Sequence, residues 1–304
     1  MIRAEELTKR YGTRTVVQDL SFTVRPGTVT GFLGPNGAGK STTLRMLLGL
    51  DAPTRGRATI AGRAYAEHPA PLTRAGALLE ARSLHPGRSA RHHLTALALT
   101  HGIPRSRVAH VLAVTGLTEV ADRRVKGFSL GMGQRLGIAA ALLGDPAAVI
   151  LDEPVNGLDP EGVRWIRTLL TSLAAEGRTV LVSSHLMGEM ALTADHLIVI
   201  GKGRLLADTT VAELVRQAGG STVKVVTPEA DRLRGLLPGA TRITVDPLDA
   251  PDTLHVSGLD APEIGRAAAT HGVPLYELTP QTASLEQAFM DLTHDSVEYQ
   301  GAPA

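Results

Sequence analysis

The sequence predicts an α/β protein in which helices cover a largely parallel sheet, followed by a small α+β domain. Three observations predict this fold. Apolar runs of strand length alternate with helical stretches up to about residue 208, a glycine-rich loop joins one such strand to a helix, and the residue pattern changes after Gly219-Gly220. The chain has 304 residues, of which 43% are hydrophobic and 20% charged, an ordinary globular balance. The predicted domains are residues 1–218 and 221–304.

Four apolar segments are the strands on which the first domain depends. They are Val29–Leu33, Ala148–Leu151, Thr179–Ser183 and Leu197–Ile200. The middle two are continuous apolar runs, as expected of strands buried on both faces of a parallel sheet. Two shorter segments near the N-terminus, Ile2–Leu7 and Asp19–Val24, are candidates for an antiparallel flank of this sheet.

Helical stretches separate these strands, and the clearest are Gln134–Leu143 and Gly162–Ala175. Residues 83–118 contain no strong strand and are interrupted at Gly102-Ile103-Pro104, which is typical of helices joined by short loops. We therefore expect a helical subdomain over about residues 83–145.

The second domain begins after a predicted helix, Val211–Ala218, which ends at Gly219-Gly220, a typical helix end and linker. Short strands and helices follow in a mixed order, which predicts a small α+β domain. Its elements are expected at Thr222–Val226, Thr253–Val256, Glu263–Thr270 and Ser284–Leu292.

Composition excludes several classes of protein. The chain has no cysteine, so it has no disulfide framework and no thiolate metal site. Its formal net charge of +1 is far from the basic footprint of a nucleic-acid binder. The first residues lack the apolar core of a signal peptide, and the longest apolar stretch, Leu136–Leu151, is interrupted by Asp145-Pro146. We therefore expect that this chain does not cross a membrane by itself.

Residues 34–41 form a phosphate-binding loop of the pattern G-x-x-x-x-G-K-[ST] between a predicted strand and a predicted helix. Glycines let successive N–H groups turn toward phosphate oxygens, and the helix that starts near Lys40 adds its positive dipole end. Lys40 would reach the β- and γ-phosphates, and the Ser41 hydroxyl would bind Mg²⁺. The alternative is a glycine-rich turn with a chance lysine. The predicted nucleotide-binding residues are Gly34, Pro35, Asn36, Gly37, Ala38, Gly39, Lys40, Ser41 and Thr42.

Two carboxylates, Asp152 and Glu153, follow the predicted strand Ala148–Leu151, at the edge where α/β folds place their ligands. Asp152 would hold Mg²⁺ through water. Glu153, whose side chain points differently along an extended backbone, would act as the general base on the attacking water. The alternative for the pair is a helix N-cap. His185 follows Thr179–Ser183 and is a candidate sensor of the γ-phosphate, whereas a lone histidine at such a position also suits an ordinary surface role.

The segment Phe128-Ser129-Leu130-Gly131-Met132-Gly133-Gln134-Arg135, called the signature segment below, lies just upstream of the two carboxylates. It is similar to the signature Leu-Ser-Gly-Gly-Gln of the ATP-binding subunits of ABC transporters. Leu130 takes the place of the first glycine and Met132 that of the glutamine. With the phosphate-binding loop and the carboxylates in the same order, about residues 1–215 resemble this family.

This resemblance implies an ABC ATPase domain of the P-loop NTPase type, with ATP and Mg²⁺ as its ligands. It also implies that a second copy of the chain packs head to tail and that the two copies sandwich two ATP molecules. Tyr11 would stack on adenine, and Ser129 and Gly131 would bind the γ-phosphate of the partner's ATP. The loop Asn156–Asp159, called the Asp159 loop below, would carry Asp159 across the dimer interface.

Glu80 is an informative departure from the family. It ends the segment Ala75–Glu80, where most members have a glutamine that contacts Mg²⁺ or the attacking water and touches the membrane subunit. A carboxylate there would keep these roles with an added charge, and the alternative is a solvated acid at a strand end. Glutamate at this point resembles the bacitracin- and lantibiotic-resistance branch of exporters, and Ser284–Phe289 resembles the C-terminal motif of exporter subunits. His185 matches the family's switch histidine.

The resemblance therefore predicts an ATPase at the cytoplasmic face of the cell membrane. It would power the export of a drug, an antibiotic or a peptide through a separate membrane permease, contacted by residues 83–118 and the Glu80 loop. The alternative is a soluble ABC ATPase acting on ribosomes or DNA, but such proteins usually carry two ATPase domains or long coiled coils. No nucleic-acid partner is expected. A third reading, a regulatory protein that binds ATP without hydrolysing it, is disfavoured by Glu153.

Overall fold

The computed structural model describes residues 1–80, 84–217, 221–245, 252–282 and 284–294. The chain divides into two compact units. One is built on Met1–Thr210, and the other is Val211–Leu292. The predicted boundary lies after residue 218, whereas the structure groups the helix at Val211–Gln217 with the second unit. The predicted linker Gly219-Gly220 lies outside the described residues.

The first unit begins with an antiparallel sheet of three strands, β1 (Ile2–Tyr11), β2 (Arg14–Val24) and β4 (Arg55–Ile60), in the order β2-β1-β4. The predicted antiparallel flank is confirmed, and both of its strands are longer than predicted. Their exposed positions are mostly polar, and this alternation hides the strand signal in a search for apolar runs.

A six-stranded sheet forms the centre of the unit and carries the candidate site at its carboxyl edge. Its strand order is β5-β6-β7-β3-β8-β9, and all neighbours are parallel except β8 and β9. All four predicted strands are confirmed at their positions. The strands are β3 (Val29–Leu33), β5 (Ala75–Leu78), β6 (Ala148–Leu151), β7 (Thr179–Ser183), β8 (His196–Gly201) and β9 (Arg204–Thr210).

Helices follow or precede most of these strands, as the predicted fold class requires. The predicted helices Gln134–Leu143 and Gly162–Ala175 are confirmed, and each begins two to four residues earlier than predicted, at a polar N-cap. The α-helices of this unit are α1 (Lys40–Leu47), α2 (Pro71–Arg74), α3 (Ala90–Thr100), α4 (Arg105–Val114), α5 (Leu130–Leu142), α6 (Pro160–Ala175) and α7 (Met187–Thr193).

One hydrophobic core joins the two sheets and fixes the helix behind the phosphate-binding loop. Phe22 of β2 and Phe32 of β3 lie with ring centroids 5.6 Å apart, and both are buried. Leu44 and Leu47 of α1 pack into the same core and are almost fully buried. Burial of such a side chain contributes about 1.5–3 kcal/mol, so α1 and the loop that starts it are held firmly against the sheet.

The second unit is an α+β structure with the element order αβαββαβα. Its antiparallel sheet has the strand order β11-β12-β10-β13, and Val223, Val225, Leu254 and Ile264 are among its core residues. The elements are α8 (Val211–Gln217), β10 (Ser221–Val226), α9 (Ala230–Gly235), β11 (Arg242–Thr244), β12 (Thr253–Ser257), α10 (Ala261–Thr270), β13 (Glu277–Thr282) and α11 (Leu285–Thr293).

None of the helices among the described residues combines the length and the apolar character that crossing a bilayer requires.

Candidate functional site

The phosphate-binding loop connects β3 to α1 and has the backbone conformation that its glycines permit. Gly37 and Gly39 have φ angles of 80° and 97°, in a region that other residues rarely adopt. A Cβ atom on Gly34 would lie 2.5 Å from the carbonyl oxygen of Ile200 in β8. The pattern of glycines predicted from the sequence is therefore required both by the turn and by its close approach to the neighbouring strand.

Lys40 is the first residue of α1, and its side chain folds back over the loop. Its ammonium group donates hydrogen bonds to the carbonyl oxygens of Gly34 (2.5 Å) and Pro35 (3.3 Å). Burial lowers the pKa of Lys40, while the carboxylates of Glu153 and Asp152 act in the opposite direction. The loop thus holds a partly desolvated cation, in the setting where its attraction to phosphate is strongest.

Asp152 directly follows β6 and links it to both neighbouring elements of the site. Its Oδ2 accepts a hydrogen bond from Ser41 Oγ at 2.9 Å. Its Oδ1 accepts a short hydrogen bond from the hydroxyl of Ser183, a buried residue at the end of β7. Because β6 and β7 are adjacent parallel strands, their carboxyl ends meet at the point where α1 begins. The predicted magnesium pair, Ser41 and Asp152, is therefore brought together.

Glu153 and His185 also meet. Glu153 Oε2 lies 2.7 Å from His185 Nδ1, and the histidine side chain is half exposed. The backbone of Glu153 has a φ of 49°, which costs about 1–3 kcal/mol for a residue other than glycine and persists only where surrounding contacts hold it. Its N–H donates to Ser183 Oγ at 2.9 Å.

A cavity of about 450 Å³ lies between the phosphate-binding loop and the two carboxylates, and His185 does not line it. Nine nucleotide-binding residues are predicted at positions 34–42, and all of them except Gly34 line this cavity. Both carboxylates line it as well. Two further residues, Arg14 and Val16 of β2, were missed because nothing in their local sequence indicates a ligand site. The lining residues are Arg14, Val16, Pro35, Asn36, Gly37, Ala38, Gly39, Lys40, Ser41, Thr42, Asp152 and Glu153.

Tyr11 and Glu80 do not line this cavity. Tyr11 ends β1 with about half of its surface exposed, and its hydroxyl donates to Asp51 Oδ2 at 3.1 Å. The ammonium of Lys9 lies 4.9 Å from the centre of the Tyr11 ring. Glu80 lies two residues beyond the end of β5, whose last residue, Leu78, accepts the N–H of Asp152 at 2.7 Å through its carbonyl oxygen.

The signature segment and the Asp159 loop lie against each other, and neither of them lines this cavity. Ser129 is the N-cap of α5, and its hydroxyl accepts the N–H of Met132 at 3.2 Å. Asp159 is likewise the N-cap of α6. A Cβ on Gly157 would lie 2.3 Å from the side chain of Leu130, so Leu130 covers this glycine. Ser129, Gly131 and Asp159 thus form a second group of predicted residues within the same chain.

Comparison with known proteins gives two family matches. Residues 17–156 match the family described as ABC transporter. Residues 221–286 match a domain of unknown function, DUF8746. The first match covers the phosphate-binding loop, the signature segment and both carboxylates. The second lies within the α+β unit.

Individual relatives extend the similarity along the chain. The chain is 35% identical to the uncharacterized ABC transporter ATP-binding protein YhcH of Bacillus subtilis, over 98% of this chain and 97% of that protein. It is 36% identical to the Nod factor export ATP-binding protein I of Ralstonia nicotianae, over 96% and 94%. It is 43% identical to the bacitracin transport ATP-binding protein BcrA of Bacillus licheniformis, over 68% and 69%.

A solved structure shows the same fold in the first unit. It is described as the dimeric structure of MJ0796, a bacterial ABC transporter cassette. The alignment has a TM-score of 0.63 and 25% sequence identity, and it covers 69% of this chain and 98% of that one.

Proposed function

Because this chain belongs to the ABC transporter family as an ATP-binding subunit and is an ABC ATPase, we propose that it powers the export of a drug, an antibiotic or a peptide through a separate membrane-spanning subunit. The observation that carries the proposal is the meeting of Lys40, Ser41, Asp152 and Glu153 at one cavity. The likeness to proteins named for Nod factor export and bacitracin transport supports the direction and the kind of cargo.

We assign the triphosphate of ATP to the phosphate-binding loop. The N–H groups of this loop and the start of α1 suit an anion, and Lys40 would exchange its carbonyl partners for phosphate oxygens. Tyr11 is proposed to stack on the adenine ring, from its position at the end of β1. The pairing of its hydroxyl with Asp51 leaves about half of the residue accessible.

The residues at the cavity fit a magnesium ion. Ser41 and Asp152 present oxygen atoms 2.9 Å apart, and Mg²⁺ prefers oxygen ligands with only one or two carboxylates from the protein. Within the described part of the chain, no three His, Cys, Asp or Glu residues cluster as a metal site, which agrees with a cation shared with phosphate. Magnesium would neutralise charge on the β- and γ-phosphates. Glu80 is proposed as a third residue that approaches it.

Hydrolysis is assigned to Glu153 as general base. Its carboxylate lies beside Asp152 and bonds to His185, so it can accept the proton of a water that attacks the γ-phosphorus. His185 would orient the carboxylate and sense the γ-phosphate from its half-exposed position. Lys40 and the N–H groups of the loop would hold the oxygens on which negative charge gathers.

Two copies of the chain are proposed to form the complete site. Ser129, Gly131 and Asp159 lie apart from the cavity of their own chain, and a head-to-tail partner would bring them to the γ-phosphate. Ser129 also supplies a hydroxyl and the start of α5, which favour an anion. The solved relative of similar fold is itself described as dimeric.

The location and partners follow from the transport role. The proposed place is the cytoplasmic face of the cell membrane, held there by the permease. Residues 83–118 and the Glu80 loop are the proposed contact. A soluble ATPase acting on ribosomes or DNA is the competing function, and no observation on the structure favours it.

Purification of the tagged chain from membranes tests this proposal. We expect a multi-span membrane protein to co-purify and to raise the rate of ATP hydrolysis. The Lys40→Ala variant should still co-purify, because the contact is elsewhere, but should bind ATP weakly. Ribosomes or nucleic acid in place of a membrane protein would overturn the export proposal, and unchanged ATP affinity of Lys40→Ala would overturn the site assignment. Lys126→Ala, which changes an exposed lysine, is the control.

A further inference from the structure

Gln134 makes a contact that none of the predicted roles explains. It lies on α5, is 3% exposed, and donates its side-chain Nε2–H to the backbone carbonyl oxygen of Glu153 at 3.2 Å. A buried glutamine with a single specific acceptor is costly to keep unless that hydrogen bond is made. The acceptor here belongs to the residue proposed as general base.

The backbone of Glu153 is held at both of its peptide groups. Its N–H donates to Ser183 Oγ, and its carbonyl accepts from the Gln134 side chain and from the backbone N–H of Asn156. Between these contacts the residue has a φ of 49°, a conformation that other residues avoid and that neighbouring contacts must maintain. The direction of the carboxylate depends on this backbone conformation, because Cα and Cβ are fixed by the two peptide planes.

We infer that Gln134 is a positioning residue for ATP hydrolysis, which holds the carboxylate of Glu153 toward the attacking water. The inference rests on the proposed role of Glu153 as general base. Gln134 acts through the carbonyl of Glu153 and does not line the nucleotide cavity itself. Ser183 has the corresponding role at the N–H of Glu153, which it accepts, and it also donates a hydrogen bond to Asp152.

This position also links the two sites of the proposed dimer. Ser129, which would contact the partner's ATP, caps the same helix five residues before Gln134, a rise of about 7.5 Å. A regular helix is a stiff element over such a distance, because backbone hydrogen bonds join each of its turns to the next. A shift of α5 on contact with the partner's ATP would therefore reach the general base of its own subunit through Gln134.

The test compares two variants that remove the donated hydrogen bond. Gln134→Met keeps the length of the side chain, and Gln134→Glu keeps its shape and polarity but presents only acceptors near neutral pH. Each is measured alone and on the Glu153→Gln background, in the full chain, for ATP affinity, KM and kcat. We expect each single variant to lower kcat about tenfold or more, with KM changed less than about threefold, because a misplaced base mainly affects the chemical step.

The double variants separate positioning from general damage. If Gln134 acts through Glu153, its loss should add less than about twofold to the effect of Glu153→Gln. An equal loss on both backgrounds, or a wild-type kcat in either folded single variant, overturns the inference and leaves the proposed function standing. Unchanged hydrolysis in Glu153→Gln alone would instead overturn the role of Glu153 itself. Thr115→Val, which removes a buried hydroxyl bonded only within α4 and its end, is the control.

Discussion

At the residue scale, the site depends on side chains whose hydrogen bonds connect three neighbouring elements. Asp152 follows β6 and accepts from Ser41 at the start of α1 and from Ser183 at the end of β7. Glu153 forms a hydrogen bond with His185, which lies two residues beyond the same end of β7. Ser183 therefore joins the proposed metal-binding carboxylate to the proposed base, and a change at either carboxylate is expected to affect the other.

Glu153→Gln is the most direct test at this scale. The amide keeps the size of the side chain but cannot accept the proton from water, so hydrolysis should fall by about 100-fold or more while ATP affinity stays the same. Steady-state phosphate release and equilibrium ATP binding measure the two quantities. Unchanged turnover would remove Glu153 from the base role. Glu161→Gln, at an exposed acid in the first turn of α6, should leave both values unchanged.

The residues of the site differ in how far the sequence predicted them. Lys40, Ser41 and the loop glycines could be predicted because the pattern is contiguous, and the structure requires glycine at Gly34, Gly37 and Gly39. Ser183 and Gln134 were not given roles. Their contacts to residues 152 and 153 span 19 to 31 positions in the chain, and local spacing carries no information about such pairs.

At the scale of elements, α5 has two roles that meet at its N-cap. Ser129 accepts the N–H of Met132 and so stabilises the helix, and it is also the residue proposed to face the partner's ATP. Loss of a serine N-cap costs about 0.5–2 kcal/mol. An alanine variant would therefore confuse a loss of stability with a loss of phosphate binding.

Ser129→Asp separates these two roles. Aspartate is as good an N-cap as serine, so the free energy of unfolding should stay within about 0.5 kcal/mol of wild type. Its negative charge would oppose the γ-phosphate, so hydrolysis should fall about tenfold or more. Urea unfolding followed by fluorescence of Trp165, the single tryptophan, measures the first quantity. Full activity in a stable Ser129→Asp protein would contradict the proposed role of Ser129.

Element prediction succeeded where apolar runs mark strands buried on both faces. β6 and β7 were predicted at their observed limits for this reason. The prediction missed β4 and β9. Both strands lie at the edge of a sheet and mix polar with apolar residues, so no continuous apolar run marks them in the sequence. Strands β11 and β13 of the second unit were missed for the same reason.

At the scale of the whole molecule, we expect the proposed dimer to form with ATP and not with ADP. The hydrolysis rate should therefore depend on the concentration of the protein. The Glu153→Gln variant should form dimers with ATP and remain monomeric with ADP, because the γ-phosphate is the proposed contact of Ser129. Sedimentation with each nucleotide measures this directly. Ser129→Asp on the same background should stay monomeric with ATP. Dimers that form equally with ADP, or none with ATP, would contradict the head-to-tail arrangement.

We expect the carboxylate of Glu80 to act at the proposed contact with the permease. Glu80→Gln should leave ATP binding unchanged, since Glu80 does not line the nucleotide cavity and glutamine keeps an oxygen atom that can approach the proposed Mg²⁺. It should alter the stimulation of hydrolysis by the membrane partner, because the Glu80 loop is part of the proposed contact with that partner. The measurement is the ratio of hydrolysis rates with and without the co-purified partner. If that ratio and transport are both unaffected, the charge at this position has no special role.

The sequence by itself determined the fold class and the kind of ligand. Buried strands need apolar runs, and a phosphate cradle needs glycines and a lysine at fixed spacing, so both are encoded locally. The tertiary structure decided which other residues hold the side chains of the site in place. Only the strand order places β6 beside β7 and brings Ser183 to Asp152. Only the packing of α5 brings Gln134 to the backbone of Glu153, because that contact depends on how distant segments fold together.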